Sequence, residues 1–315
     1  VILFADKSTK YMFEPVFNGK SAYDLALAWA KKTTDCAVYI FAYEKARKLL
    51  EENTTEKVSF VYKSEWNVRM LMEEVSLCIK AENAEAAVYA FADCPFLNRK
   101  LTKEILETHE EFVAEYTYSE GFPYGFSCEV VDGGTADILA SLSKDIQKDA
   151  GEKEVTRNSF FDLLSTDINS FEIETVLSED DYRLLRYSFD CGKKENFMAC
   201  IALYNALEKD GKNKNLEELD AEDVSILASN NVDILKTVPG FYNIQISSVS
   251  DSNPIYIPHS APVSKNGEFM QTEKIFNLIE QIAEFSENAV LCLSYFGDPL
   301  FHKDLSKIVE KILSY

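Results

Sequence analysis

The chain is poor in the residues that mark several common kinds of site. Its 3 histidines, His109, His259 and His302, are far apart in sequence and lack obvious nucleophile partners, so a hydrolytic triad is not indicated. The 7 cysteines include no C-x-x-C pair, and an odd number argues against a disulfide framework or a zinc knuckle. Cys78, Cys200 and Cys292 fall on apolar periodicities and read as small core residues, and a reducing cytoplasm is the compartment expected. Apolar runs are short: the best, residues 289–296, is strand-sized, whereas a membrane helix needs ~20 apolar residues. The chain opens at Val1 inside an apolar run with no basic leader, so no signal peptide is expected. Positive charge is in deficit too. With 32 Lys and Arg against 53 Asp and Glu the formal charge is −21, which opposes the phosphate contacts that drive nucleic-acid binding. Neither nucleic acid nor membrane is an expected partner.

An apolar content of 46% in 315 residues is enough for real cores, and the length predicts two domains. Short apolar runs at 1–5, 37–42, 58–62 and 86–91 read as buried strands, separated by helical patterns at 22–32, 43–52 and 67–81. This alternation predicts an α/β fold, a mixed and mostly parallel sheet with helices on both faces, and ligands beyond the carboxyl ends of the strands. After residue 91 the pattern breaks at Gly121, Pro123, Gly125, Gly133 and Gly134, where an irregular substrate-side flap is expected. A strand at 171–176 and a helix carrying Phe197, Cys200, Ile201, Tyr204 and Leu207 complete a first domain, residues 1–210. Residues 211–235 read as linker and connecting helix. A second β-α pattern occupies 236–315, with strands at 241–247 and 289–294 and helices at 271–285 and 302–313. Two such units make a small sheet, so this tail is expected to find cover, a homodimer being one way.

Asp93 and Asp190 each follow an apolar run, where a sheet of this kind presents its ligand-facing edge. Two carboxylates converging there suit Mg²⁺, which prefers oxygen ligands shared with substrate phosphates; alternatively each Asp caps a helix or stabilises a turn. The aromatics Tyr116, Tyr118, Phe122 and Tyr124 read either as packing or as stacking partners for a base.

The segments Ala92-Asp93-Cys94-Pro95-Phe96-Leu97, Tyr124-Gly125-Phe126-Ser127-Cys128-Glu129-Val130 and Leu185-Arg186-Tyr187-Ser188-Phe189-Asp190 occur in the order seen in one family. Over residues 1–208 the chain resembles the sugar cytidylyltransferases, typified by the CMP-3-deoxy-manno-octulosonate synthetases and the spore-coat polysaccharide enzymes. The resemblance implies a nucleotide or nucleotide sugar as ligand. It also implies Asp93 and Asp190 holding Mg²⁺, Lys10 and Glu129 in the chemistry, and Ser8, Thr9 and Lys20 at the nucleotide. The implied reaction is attack by an acidic sugar's hydroxyl on the α-phosphate of CTP, with pyrophosphate leaving. Departures are as definite. The family's first loop, Arg-x-Gly-Ser-Thr-Arg-Leu-Pro-x-Lys, is matched by Asp6-Lys7-Ser8-Thr9-Lys10-Tyr11-Met12-Phe13-Glu14 only if its glycine is deleted, and Asp6 and Glu14 reverse two charges. Asn18-Gly19-Lys20-Ser21 matches the family's Gly-Lys but lacks the preceding glycine of a P-loop.

In the tail, Val238-Pro239-Gly240-Phe241-Tyr242-Asn243-Ile244-Gln245-Ile246 and Leu293-Ser294-Tyr295-Phe296-Gly297-Asp298-Pro299-Leu300 resemble the first two strands of a radical S-adenosylmethionine barrel. Ser250, Pro254 and Ile257 stand where that family has its cluster cysteines, and Cys292 is the only thiol after Cys200, so no iron-sulfur cluster is expected. The loop 250–262 is expected to be irregular, and Asp298 to be a turn residue. Together the halves resemble the spiro-SPASM proteins. That implies either a divergent nucleotidyltransferase or a non-catalytic scaffold docking a cluster-bearing region.

Overall fold

The computed structural model describes residues 1–7, 10–33, 37–150, 153–211, 219–231, 234, 238–251, 267–286 and 289–315, with backbone alone for 145–150. It divides into two compact units, Val1–Lys236 and Thr237–Tyr315.

The first unit holds a sheet of 7 strands: β1 (Ile2–Ala5), β2 (Tyr39–Tyr43), β3 (Ser59–Lys63), β4 (Ala86–Phe91), β5 (Tyr116–Glu120), β6 (Glu129–Asp132) and β7 (Ile173–Leu177). Their order is β3-β2-β1-β4-β6-β5-β7. β1 pairs in parallel with both β2 and β4, β2 with β3, and β5 with β7, while β6 runs antiparallel to β4 and β5. The sheet is therefore mixed and mostly parallel, as the sequence pattern predicts. Every residue of β1 is buried, as a central parallel strand covered on both faces must be. Strand order reverses between β1 and β4, and the crevice beyond the carboxyl ends at such a switch point is where α/β sheets take ligands.

The helices of this unit are α1 (Ala22–Thr33), α2 (Arg47–Asn53), α3 (Val68–Glu82), α4 (Arg99–Glu111), α5 (Gly133–Ala150), α6 (Ser159–Leu164), α7 (Lys194–Lys209) and α8 (Ala221–Asn230). α1 packs against α4, where the Trp29 indole donates to Thr102 Oγ1 at 3.1 Å. α3 packs against α5, where Lys80 meets Asp137 at 2.6 Å. The connections β1-α1-β2 and β3-α3-β4 run in opposite directions across the sheet, so right-handed crossovers put α1 and α3 on opposite faces. Local signals start the helices. Ser21 and Asp24 form a reciprocal cap on α1, with Ser21 N donating to Asp24 Oδ2 at 2.8 Å and Asp24 N to Ser21 Oγ at 3.1 Å. Asn67 Oδ1 accepts from Met70 N at 2.9 Å to start α3.

The structure corrects the expected flap. Residues 121–128 are irregular as expected, but β6 and the start of α5 take up the rest of that stretch through Gly134, and α4 and β5 precede it. Gly133 and Gly134 open a helix: Asp132 Oδ1 caps Gly134 N at 2.7 Å, and a side chain at Gly133 would come within 3.2 Å of Glu85 O. Glycine there serves close packing at a helix N-terminus. α8, within the stretch read as a connection, gives Ala221, Val224 and Ala228 to the same core.

The second unit pairs β8 (Phe241–Asn243) and β9 (Val290–Cys292) in parallel, with α9 (Thr272–Phe285) and α10 (Leu305–Leu313). Ile244, Ile246, Ile275, Ile279, Ile282 and Ile308 form its core. Both strands are shorter than expected. Beyond the strands the backbone at Gly297 packs closely on Ser247, where a side chain at Gly297 would sit 1.8 Å from Ser247 O. Asp298 caps a turn, accepting from Leu300 N at 2.8 Å. Ser250 is buried, and residues 252–262 of the tail loop, with Pro254 and Ile257, lie outside the described residues. Among the described residues no helix is long and apolar enough to cross a membrane.

Candidate functional site

β4 ends at Phe91, and the chain turns through Ala92 so that Asp93 lies at the carboxyl end of the sheet beside the switch point. Asp190 arrives from another direction. A single parallel bridge, Tyr124 with Ser188, and Phe189 N donating to Tyr124 O at 2.9 Å seat its segment against the 121–128 turn. Cys191 N then donates to Asp93 O at 2.9 Å. The close approach requires Gly125, whose φ is +98 and whose side chain would meet Phe189 O at 2.3 Å.

The two carboxylates converge on one cation, and that cation is Arg157. Its guanidinium donates from Nη1 to Asp93 Oδ1 at 2.8 Å and from Nη2 to Asp93 Oδ2 at 2.6 Å, and Nη2 reaches Asp190 Oδ1 at 3.5 Å. Nη1 also donates to Tyr124 Oη at 2.9 Å. The guanidinium carbon lies 4.2 Å from the Phe91 ring centroid and 5.2 Å from that of Tyr124, so two aromatic faces flank it. The Asp93 and Asp190 side chains are only 3% and 7% exposed. Burial pushes the Asp93 carboxyl up and Arg157 opposes it. Burial works against the charge on Arg157, but Asp93, Tyr124 and Cys94 together outweigh it and hold the guanidinium well above its usual range.

The rest of Asp190 is also occupied. Oδ2 accepts from Ser188 Oγ at 2.6 Å and Asn196 Nδ2 at 2.7 Å, and Oδ1 accepts from Gly192 N at 3.0 Å. A carboxylate has about four lone-pair sites, and Asp190 has four donors. Gly192 leaves space for the cluster, since a side chain there would lie 3.1 Å from Asp190 Oδ1 and 3.2 Å from both Arg157 Nη2 and Asp93 Oδ2.

The residues as arranged do not fit the Mg²⁺ that the resemblance implies. A dication placed ~4 Å from the guanidinium, at an effective dielectric near 20, meets a repulsion on the order of 8 kcal/mol. Seating it between the carboxylates requires Arg157 to leave. Among the described residues no group of 3 or more His, Cys, Asp and Glu side chains is arranged to hold a metal ion.

Beside Arg157 lies a cavity of ≈ 500 Å³ whose wall includes Tyr89, Tyr116, Tyr118, Phe161 and Glu129. Glu129 keeps some accessible surface on the cavity side, but its Oε2 is buried. Among the described residues Glu129 Oε2, Tyr89 Oη and Tyr116 Oη have no hydrogen-bond partner, although Tyr116 lies near enough to favour the carboxylate. Burial pushes the Glu129 carboxyl up to about 8, Tyr116 draws it down and Asp162 adds to the rise. At neutral pH Glu129 is thus mostly a protonated, neutral donor.

The nucleotide-side residues are more scattered. Ser8 and Thr9 lie outside the described residues. Lys10 is exposed, its ammonium 5.2 Å from the Tyr11 ring centroid. Lys20 is exposed at the end of a tight turn in which Asn18 and Gly19 have φ of 51 and 78 and Phe17 N donates to Lys20 O at 2.9 Å. Lys7 pairs with Glu154 at 2.7 Å. The histidines are structural where described. His109 Nδ1 bonds Thr117 Oγ1 at 2.9 Å, and His302 Nε2 bonds Met270 O at 2.8 Å. Sequence reasoning missed Arg157, Ser188, Gly192 and Asn196; an arginine among Val155-Thr156-Arg157-Asn158 carries no local mark of its role.

No family model matches the chain. An uncharacterized protein of Treponema pallidum (strain Nichols) is 35% identical over 156 residues, which is 49% of this chain and 40% of that protein. The chain therefore spans under half of that relative's length. Among solved structures, 4-diphosphocytidyl-2C-methyl-D-erythritol synthase of Anaerococcus prevotii aligns at TM-score 0.48 and 10% identity, over 65% of this chain and 97% of that one. A cytidylyltransferase from Leptospira borgpetersenii aligns at TM-score 0.50 and 14% identity, over 75% of this chain and 97% of that one. At such identity the likeness speaks to architecture alone: the sheet and its helices have a nucleotidyltransferase-like α/β fold.

Proposed function

We propose that the first unit binds a hydroxyl-rich, sugar-like small molecule, free or as part of a nucleotide sugar, in the cavity beside Arg157, without transferring a nucleotidyl group. The observation that carries this is the unspent hydrogen-bonding capacity of Glu129, Tyr89 and Tyr116 around the cavity. Each unpaired buried group costs ~1–3 kcal/mol, and a ligand whose hydroxyls draw them into one network relieves that cost. The ring faces of Tyr118, Phe122 and Phe161 supply the apolar surface that usually lines a small-molecule site. Positive charge for a triphosphate is scarce, with Arg157 engaged by Asp93 and Asp190 and Lys7 by Glu154. In this role the fold is a binding scaffold, which accords with the spiro-SPASM resemblance.

A second reading is Mg²⁺-dependent cytidylyl transfer to an acidic sugar, with Lys10 and Glu129 catalytic, Ser8, Thr9 and Lys20 at the nucleotide and Asp93 and Asp190 on the metal. It is favoured by the convergence of the two carboxylates at the carboxyl end of the sheet, and it needs Arg157 to withdraw. Calorimetry and thermal shift with CTP, CMP, CMP-linked sugars and free sugars, in Mg²⁺ and in EDTA, separate the two. A ligand at 100 times its Kd stabilises by ~2.7 kcal/mol. Sugar-bearing ligands are expected to raise Tm equally in EDTA. Pyrophosphate released from CTP with an acidic sugar and Mg²⁺ would establish the second reading, and a failure of every sugar to bind would refute the first.

A further inference from the structure

We propose that Arg157 is the resident cation of the Asp93–Asp190 pair, standing where a bridging divalent ion would sit, so that the pair takes up no metal and the adjoining cavity is filled metal-independently. Four independent features fix the guanidinium. Asp93 holds it by two parallel bonds at 2.6 and 2.8 Å, a fork that a guanidinium matches and a point charge does not. Phe91 and Tyr124 flank it at 4.2 and 5.2 Å. Tyr124 Oη accepts from Nη1 at 2.9 Å, which ties it to the turn that brings in Asp190. Gly192 omits the side chain that would crowd Asp190, Arg157 and Asp93 at 3.1–3.2 Å.

Asp190 adds a second obstacle to a metal. Its oxygens already accept from Ser188, Asn196, Gly192 N and Arg157 at 2.6 to 3.5 Å, so a metal would have to displace bonds on both carboxylates as well as the guanidinium. Two carboxylates and one guanidinium leave a single negative charge that is internally hydrogen-bonded, where a metal-loaded pair would be neutral.

Mn²⁺ serves as the probe, counted by electron paramagnetic resonance on the purified chain, because free and bound Mn²⁺ give different signals. A Mg²⁺ competition and an Asp93→Asn variant separate this pair from diffuse binding to the acidic surface. The wild-type chain and Asp93→Asn are expected to bind Mn²⁺ indistinguishably. Arg157→Ala, which vacates the place, is expected to gain one Mn²⁺ with at least tenfold higher affinity, and Arg157→Ala/Asp93→Asn is expected to lose it. One Mn²⁺ per wild-type chain, competed by Mg²⁺ and absent in Asp93→Asn, overturns the proposal, as does a folded Arg157→Ala with no gain. Should Arg157→Ala fail to fold, the wild-type titration decides alone: one Mg²⁺-competed Mn²⁺ overturns the proposal, and none supports it. Metal exclusion is read without any sugar or nucleotide, so its outcome is separate from what fills the cavity.

Discussion

Replacing Glu129 by Gln tests the character of the cavity through stability alone. The Glu129 carboxyl is raised from 4.5 to about 8 by burial, a gap of about 3.5 pH units. At ~1.36 kcal/mol per unit this is on the order of 5 kcal/mol. An unfolded chain loses this proton near 4.5, whereas the folded chain keeps it until about 8. Between those values the folded state holds more protons, so stability falls as pH rises, by up to ~1.4 kcal/mol per unit, and levels off above about 8. Gln is neutral throughout and nearly isosteric, so Glu129→Gln lacks this fall while sharing every other titration. The stability of the variant relative to wild type is therefore expected to rise by several kcal/mol between about pH 5 and pH 9. Urea unfolding at intervals across that range measures it. Both tryptophans, Trp29 and Trp66, are buried in the first unit, so their fluorescence reports that unit's transition. A difference between the two proteins that does not change with pH would refute the buried, protonated carboxyl.

Other substitutions probe the frame around it. Gly125→Ala places a side chain 2.3 Å from Phe189 O at a φ of +98, and its urea-derived stability is expected to fall by more than ~3 kcal/mol. Asp93→Asn leaves the Arg157 charge without its bidentate partner and is expected to cost ~3–5 kcal/mol; a loss under ~1 kcal/mol would mean that Arg157 reaches solvent instead. Asn67→Ala removes the cap that accepts from Met70 N, with an expected loss of ~1–2 kcal/mol by the same measurement, recovered in large part by Asn67→Asp.

The elements with a strong period were legible in advance. Runs such as 1–5 and 86–91 have to be strands because so short and continuous an apolar stretch needs cover on both faces, and β1 and β4 lie side by side inside the sheet. α4 does not stand out in the sequence although Leu101 and Ile105 sit one turn apart on its buried face, because that pair is too short an apolar period in a polar stretch. Gly133 and Gly134 turned out to begin a helix, since what they answer to is the carbonyl of Glu85, a neighbour across space. Asp93 and Asp190 were singled out from their places after apolar runs, and the fold brings them to one point. What occupies that point was beyond sequence. Arg157 meets Asp93 across 64 residues and Asp190 across 33, from a polar stretch with no periodicity. The strand and helix pattern, the acidic balance and the two carboxylates can be read from the amino-acid order, since those depend on local spacing and composition. That a guanidinium lies between them follows only from the fold, because a side chain's partners are set by where three distant segments cross.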